Sequence, residues 1–304
     1  MVRVMLEQHP EMAIPPESYW PLTLWRRRAR YESDGGFDVG RFADDLAVNE
    51  GFNNFGLDGA QLRARLQAES PAGYADAVRA VYAEYARSVG KSRSGDKTPP
   101  FVLHMDLLAE LFPEARFVHV IRDGRDVALS LREAHFDAPR TVTGAARYWR
   151  ERVRRGRASG VRFRPERYLE VRYEDVVVDP RSALERVCAF IELEFTDRML
   201  DYGPRARATI RVQDRAREST ALTPPVAGLR DWRSEMPSRD VAAFEAIAGA
   251  MLSELGYERA FATPPVTARL RAGVSIGAAD ISRAIRTTAR RVRRGLLRRS
   301  STSD

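Results

Sequence analysis

Cysteine is almost absent from this chain of 304 residues: Cys188 stands alone. An internal disulfide framework is therefore excluded, and a reducing, cytoplasmic setting is expected. Cys188 falls in the helical pattern of residues 183–190, which predicts a small core residue. Long apolar runs are missing too; none approaches the roughly 20 residues of a membrane span. The start of the chain lacks a basic stretch followed by an apolar core, so no secretory signal is expected. Histidine is scarce, with four residues. His104, His119 and His135 show no metal-ligand spacing with a third partner, and no metal is expected. His119 lies within an apolar run and is expected to be satisfied in the core or an interface. No repeat of 20–50 residues stands out. No Gly-x-x-x-x-Gly-Lys-Ser/Thr loop occurs, which argues against a P-loop kinase.

What is present is ordinary for a soluble globular chain: 44% hydrophobic and 30% charged residues. The formal net charge of +8 suggests nucleic acid until it is located. Residues 264–304 hold ten arginines and two acids, so residues 1–263 are formally neutral. The basic character belongs to a tail, and no nucleic-acid partner is expected. Ile281, Ile285, Ala289, Val292 and Leu296 recur in that tail at helical spacing among arginines. The pattern suits a basic amphipathic helix on an anionic membrane surface, against a partner, or packed back on residues 1–263. A disordered basic tail is the competing reading.

Helical patterns occupy residues 1–8, 59–68, 72–89, 103–111, 143–157, 180–191 and 238–255, the last ending at Gly256. Residues 31–57 are expected to be irregular, punctuated by Gly35-Gly36 and Asn53-Asn54. Residues 168–173 read as a strand, and no regular element is expected for 203–225. Strands alternating with helices indicate an α/β fold with a parallel sheet flanked by helices.

The most informative stretch is Phe117-Val118-His119-Val120-Ile121-Arg122-Asp123-Gly124-Arg125-Asp126, continuing to Ser130. An apolar run suited to a strand buried on both faces ends in a charged, glycine-containing turn. Asp126 then sits in the first turn of a helix. Ligands of open α/β sheets bind at this kind of turn, so Arg122 stands where an anion would be held. The competing reading is a solvated charged turn.

Lys97-Thr98-Pro99 upstream and Val171-Arg172-Tyr173-Glu174-Asp175 downstream complete the pattern. Together these segments resemble sulfotransferases that use 3′-phosphoadenosine 5′-phosphosulfate, in the bacterial branch similar to the protein-tyrosine sulfotransferases. The resemblance covers residues 1 to about 257, and implies a P-loop-NTPase-like α/β sulfotransferase fold in one domain, 1–263. It implies that Arg122 and Ser130 hold the 3′-phosphate of the sulfuryl donor. Lys97 matches the lysine near the transferred group, and Glu17 matches the candidate general base; Glu7 and Glu11 are acids nearby that compete for that role. Tyr173 matches a nucleotide contact. Ser219-Thr220 and Gly228-Leu229-Arg230-Asp231-Trp232 resemble the loop that closes over the nucleotide, with Gly228 and Arg230 as contacts. The implied acceptor is a hydroxyl or amine on a carbohydrate, lipid, peptide or small metabolite.

Such sulfotransferases open with a strand and a Pro-Arg-Ser-Gly-Thr-Thr-type loop that holds the 5′-phosphosulfate at a helix N-terminus. This sequence has no such loop, and residues 2–9 resemble the first helix that would follow it. Either the true start lies upstream of Met1 or the chain is truncated and catalytically impaired, a nucleotide-binding or regulatory remnant. Loss of a central strand would expose two strand edges, which favours the first explanation. Weak or no transferase activity is expected of the chain as written. For the tail, more co-sedimentation with anionic liposomes is expected from the full chain than from one ending at residue 263. Equal binding by both would rule out a membrane role for the tail.

Overall fold

The computed structural model describes residues 1–133, 138–201 and 231–273. The chain begins with helix α1 (Val2–Glu7), strand β1 (Met12–Ala13) and helix α2 (Trp20–Trp25). A short hairpin follows, β2 (Glu32–Ser33) and β3 (Gly36–Phe37), then helices α3 (Val39–Ala47), α4 (Glu50–Asn53), α5 (Gly59–Glu69) and α6 (Tyr74–Ser88). Next come strand β4 (Arg93–Ser94), helix α7 (Met105–Leu111), strand β5 (Phe117–Ile121) and helices α8 (Gly124–Arg132) and α9 (Val142–Gly160). Strand β6 (Tyr168–Arg172), helices α10 (Tyr173–Val178) and α11 (Pro180–Ile191), and beyond residue 230 helices α12 (Trp232–Glu235) and α13 (Ser238–Glu254) complete the order. Residues 266–273 are also helical. Among the described residues no helix is long and apolar enough to cross a membrane.

The contacts divide the chain into two units. The first joins Met1–Ile121 with Gly156–Ala227. Its parallel pairing is split into two separate two-stranded sheets, β1 with β4 and β5 with β6, rather than one continuous sheet. The β2–β3 hairpin is antiparallel. One core gathers Val4, Met5, Val171, Leu184, Val187 and Cys188 from α1, β6 and α11. A second core is aromatic and helical, with Trp20, Phe42, Phe55, Leu66, Tyr74 and Val81. Trp20 is fully buried there, edge-on to Phe42, Phe52 and Phe55 and stacked on Tyr82. Such geometry is the favoured one for aromatic pairs.

Two expectations are corrected. Residues 31–57 are not irregular, because α3 and α4 lie within them. The signal was in the sequence: Asp38 caps α3 by accepting from the Arg41 N–H, and Val39, Phe42, Ala43 and Leu46 follow at helical spacing. Strand β5 is not buried on both faces; only Ile121 is buried, and Val120 is 37% exposed. Among the described residues β5 pairs with β6 alone, so the strand has less cover than the inner strand of a wide sheet.

The second unit joins Arg122–Arg155 with Gly228–Asp304. Helix α8 begins as expected, with Asp123 as its cap accepting from the Arg125 N–H. Helix α13 ends near Gly256, whose φ of +73° suits glycine. Gly124 is required by packing. A Cβ there would stand 2.5 Å from the Trp149 ring and 2.6 Å from the Phe244 ring. Gly124→Ala is therefore expected to cost about 1–3 kcal/mol, the usual penalty of overpacking. Chemical denaturation measures this; an unchanged midpoint would show that Trp149 and Phe244 yield without loss.

Candidate active site

Two of the expected site residues meet in the first unit. The parallel pair β1–β4 sets Met12 beside Arg93 and Ala13 beside Ser94, and the Gly95 N–H continues the ladder to the Ala13 carbonyl at 2.9 Å. The chain segments leaving both strands then run side by side. The Thr98 hydroxyl accepts from the Ser18 N–H at 3.0 Å and donates to the Ser18 carbonyl at 3.0 Å, and both residues are buried. One residue earlier on each segment, the Lys97 ammonium forms an ion pair with the Glu17 carboxylate. Both side chains are well exposed. An exposed pair contributes roughly 0–1 kcal/mol, so its partners can exchange for others at little cost. Neither competing acid stands there. Glu7 is paired with Arg3 at 2.9 Å on α1, and Glu11 lies beside His9, whose Nδ1 accepts the Glu11 N–H.

Asp96, in the Gly95-Asp96 turn signal that precedes Lys97, adjoins this pair. The Tyr82 hydroxyl donates to its Oδ2 at 2.6 Å, and its Oδ1 is buried. Burial pushes the Asp96 carboxyl up to about 6; the Tyr82 and Thr98 hydrogen bonds and the Lys97 charge pull it back, and Glu17 adds to the rise. The same burial holds the Tyr82 hydroxyl well above its ordinary range. The Gly-Asp-Lys-Thr order carried a hint, since an acid beside the candidate lysine bears directly on its charge.

In the second unit, Arg122 follows β5 and precedes α8, and Asp126 pairs with it at 3.6 Å. The Trp149 indole N–H donates to the Arg122 carbonyl at 3.0 Å and fixes its main chain. Ser130 lies in α8 with its side chain exposed. The turn is not a solvated charged turn. Arg125 is fully buried and bonded to Asp123 and Glu245, each at 2.7 Å, and to the Glu258 carbonyl at 2.7 Å. Its guanidinium lies 3.5 Å from the centre of the Trp232 ring. Sequence spacing separates charged residues that face solvent from those that fold inward only when the partner is local, and Glu245 is far along the chain.

Tyr173 is half-buried as the first residue of α10, just past the strand end where the sequence placed it. Gly228, Arg230, Ser219, Thr220 and His135, with residues 203–225 and the tail beyond 273, lie outside the described residues. His119 is satisfied as expected: its Nδ1 meets the Tyr168 hydroxyl at 2.7 Å, and burial pushes its imidazole down to about 4. Cys188 packs in the core against Met199, and burial pushes its thiol up to about 11, which makes it unreactive. Among the described residues no group of three or more His, Cys, Asp or Glu side chains is placed to hold a metal ion.

The raised Asp96 pKa has a definite sign. A carboxyl near 6 in the folded chain, above its ordinary value of 3.8, makes folding take up a proton. Its contribution to stability is full below about 4 and is lost as pH rises through about 6. Asp96→Asn keeps an acceptor for Tyr82 and removes the titration. The variant should melt higher than the parent at pH 8, with the difference closing toward pH 4. Parallel melting profiles from pH 4 to 8 would refute the assignment.

Comparisons with known proteins agree with this architecture. The profile of the sulfotransferase family matches residues 1–197. Protein-tyrosine sulfotransferase A of Caenorhabditis elegans is 27% identical over 181 residues, which cover 54% of this chain and 46% of that protein. Nodulation protein NoeE of Sinorhizobium fredii is 25% identical over 288 residues, covering 84% of this chain and 62% of that protein. The chain thus spans less than two thirds of the length of either relative. Among solved structures, the sulfotransferase domain from the Synechococcus PCC 7002 olefin synthase superposes with a TM-score of 0.60 at 23% identity, covering 84% of this chain and 90% of that domain. The sulfotransferase domain from the curacin biosynthetic pathway gives 0.58 at 17% identity, covering 85% and 93%. These two likenesses speak to the fold, the profile to descent: the chain has an α/β sulfotransferase fold and belongs to the sulfotransferase family.

Proposed function

We propose that the chain transfers a sulfuryl group from 3′-phosphoadenosine 5′-phosphosulfate to a hydroxyl or amine of an acceptor. The observation that carries the reading is the meeting of Lys97 with Glu17, an acid and a base brought together from segments 80 residues apart. The donor supplies an activated sulfuryl group whose departure leaves charge on a phosphate oxygen. Glu17 takes the proton of the acceptor as the new S–O or S–N bond forms. Lys97, leaving Glu17, neutralises the charge that develops on the leaving oxygen. The exchange is undemanding because the pair is exposed. Arg122 and Ser130 hold the 3′-phosphate, the first through a two-pronged charged donor and the second through a hydroxyl. Tyr173, Gly228 and Arg230 make the remaining nucleotide contacts. Residues 31–57 and 203–225 shape the acceptor pocket. Among carbohydrate, lipid, peptide and small-metabolite acceptors, a peptide is the class that the name of the nematode relative suggests. The setting is cytoplasmic, with the 264–304 tail at an anionic membrane surface.

Calorimetry with adenosine 3′,5′-bisphosphate tests the binding half. Arg122→Gln is expected to weaken it by about tenfold to a hundredfold, the worth of a charge-assisted pair of hydrogen bonds. Turnover with labelled donor, expected to be weak in the chain as written, tests the chemical half. Glu17→Gln should lower kcat by about 10²–10⁴ with little change in nucleotide affinity, and Lys97→Ala should act in the same direction. Full turnover by either variant would remove these residues from the chemistry.

A further inference from the structure

We propose that Asp126 is a positioning residue that aims the Arg122 guanidinium at the 3′-phosphate. The inference rests on the assignment of Arg122 as the 3′-phosphate grip. Asp126 lies in the first turn of α8, where an acid is favoured by the helix dipole alone. Its two oxygens, however, have different duties. Oδ1 accepts the Trp232 N–H at 3.0 Å, and Oδ2 faces the Arg122 guanidinium at 3.6 Å. Each partner is held from behind. Trp149 fixes the Arg122 carbonyl, so the main chain of the arginine cannot drift, and what remains to be set is the direction of its side chain. Trp232 is buried, and its indole lies against the Arg125 guanidinium.

Arg125 in turn is locked by Asp123, Glu245 and the Glu258 carbonyl. Glu245 is itself saturated, accepting the Ala260 and Phe261 N–H groups at 2.9 and 3.0 Å. Asp126 therefore hangs from a well-bonded base and passes that order to the Arg122 side chain. An arginine has large rotamer entropy to lose on gripping a ligand. Fixing it beforehand moves that loss from the binding step to folding, which raises affinity without a new ligand contact.

A carboxylate beside an anion site also repels the anion. The proposal holds that orientation outweighs repulsion, and the two effects predict opposite signs. Asp126→Asn keeps an acceptor for Trp232 and removes the charge that faces Arg122. The expected result is a Kd for adenosine 3′,5′-bisphosphate about tenfold higher, with the Kd for adenosine 5′-monophosphate unchanged and the melting temperature close to the parent. Loss of orientation at a binding group costs this order of magnitude. Asp126→Glu, which keeps a carboxylate, should restore most of the selectivity for the bisphosphate. In the double variant with Arg122→Gln, the two effects should not add, because one residue acts through the other.

Unchanged or tighter bisphosphate binding by Asp126→Asn overturns the proposal, as does additivity in the double variant. If Asp126→Asn fails to fold, Asp126→Ser is measured in its place with the same expected loss. Arg122→Gln alone separates the two readings. If it leaves the bisphosphate Kd unchanged, the assignment of Arg122 fails; if it weakens binding while Asp126→Asn does not, only the positioning role fails.

Discussion

The exchange of hydrogen bonds between Ser18 and Thr98 is the constraint on which the candidate chemistry depends. Strands β1 and β4 are two residues long each, too short to hold their outgoing segments in register by themselves. Thr98 continues the pairing through its side chain, taking the Ser18 N–H and returning its own proton to the Ser18 carbonyl. Each such bond contributes roughly 1 kcal/mol net, but removing Thr98 would leave two buried main-chain groups unmet at about 1–3 kcal/mol apiece. The exposed Lys97–Glu17 pair contributes less than either. The order of cause follows from these magnitudes: the clamp brings the charges together, and the charges do not hold the segments. That order is what a working acid and base require, since both must let go of each other when substrates arrive.

The choice of cation at each position follows the same logic. Lysine occurs at only two positions in the chain, 91 and 97. Lys91 donates to the Glu7 and Met12 carbonyls in a half-buried place where burial lowers its pKa, which is a structural duty. Lys97 is the other, and it stands at the candidate site. A compact ammonium on a flexible stem can follow a charge that moves, whereas the planar fork of arginine suits a phosphate that stays. Position 122 carries the fork and position 97 the mobile point charge.

Much of this was legible in the sequence, and the failures have physical causes. The turn at 122–126 was marked by an abrupt change from apolar to charged residues, and α8 starts there with Asp123 as cap. Cys188 is a core residue and His119 is satisfied by the Tyr168 hydroxyl, as their sequence patterns predict. Glu17 and Lys97 came from family resemblance, since no local pattern links residues whose contact is set by a sheet register. Helix α3 is announced by Asp38 and the 39-42-43-46 spacing, but the adjoining glycines and asparagines are turn-forming residues that mask the signal. Arg125 could not be placed. Its burial depends on Glu245 and Glu258, more than a hundred residues away, and nothing in the local sequence distinguishes it from Arg122.

Arg125 also bears on selectivity at the proposed anion site of a chain with so many charges. Residues 1–263 are formally neutral, so their net charge does not by itself gather phosphates. On the proposed function, selectivity comes from the few arginines whose direction is fixed. A buried arginine is expensive to desolvate and does little for stability compared with a well-packed apolar side chain. What it provides is a unique geometry when its donors are met, and here Asp123, Glu245 and the Glu258 carbonyl take four of its five N–H groups. Breaking that set would leave an uncompensated charge inside the unit, so the arrangement has one low-energy form rather than several. The turn that carries Arg122 is built on this form. On the proposed function, the buried ion cluster thus assigns anion recognition to the position of Arg122 rather than to charge density.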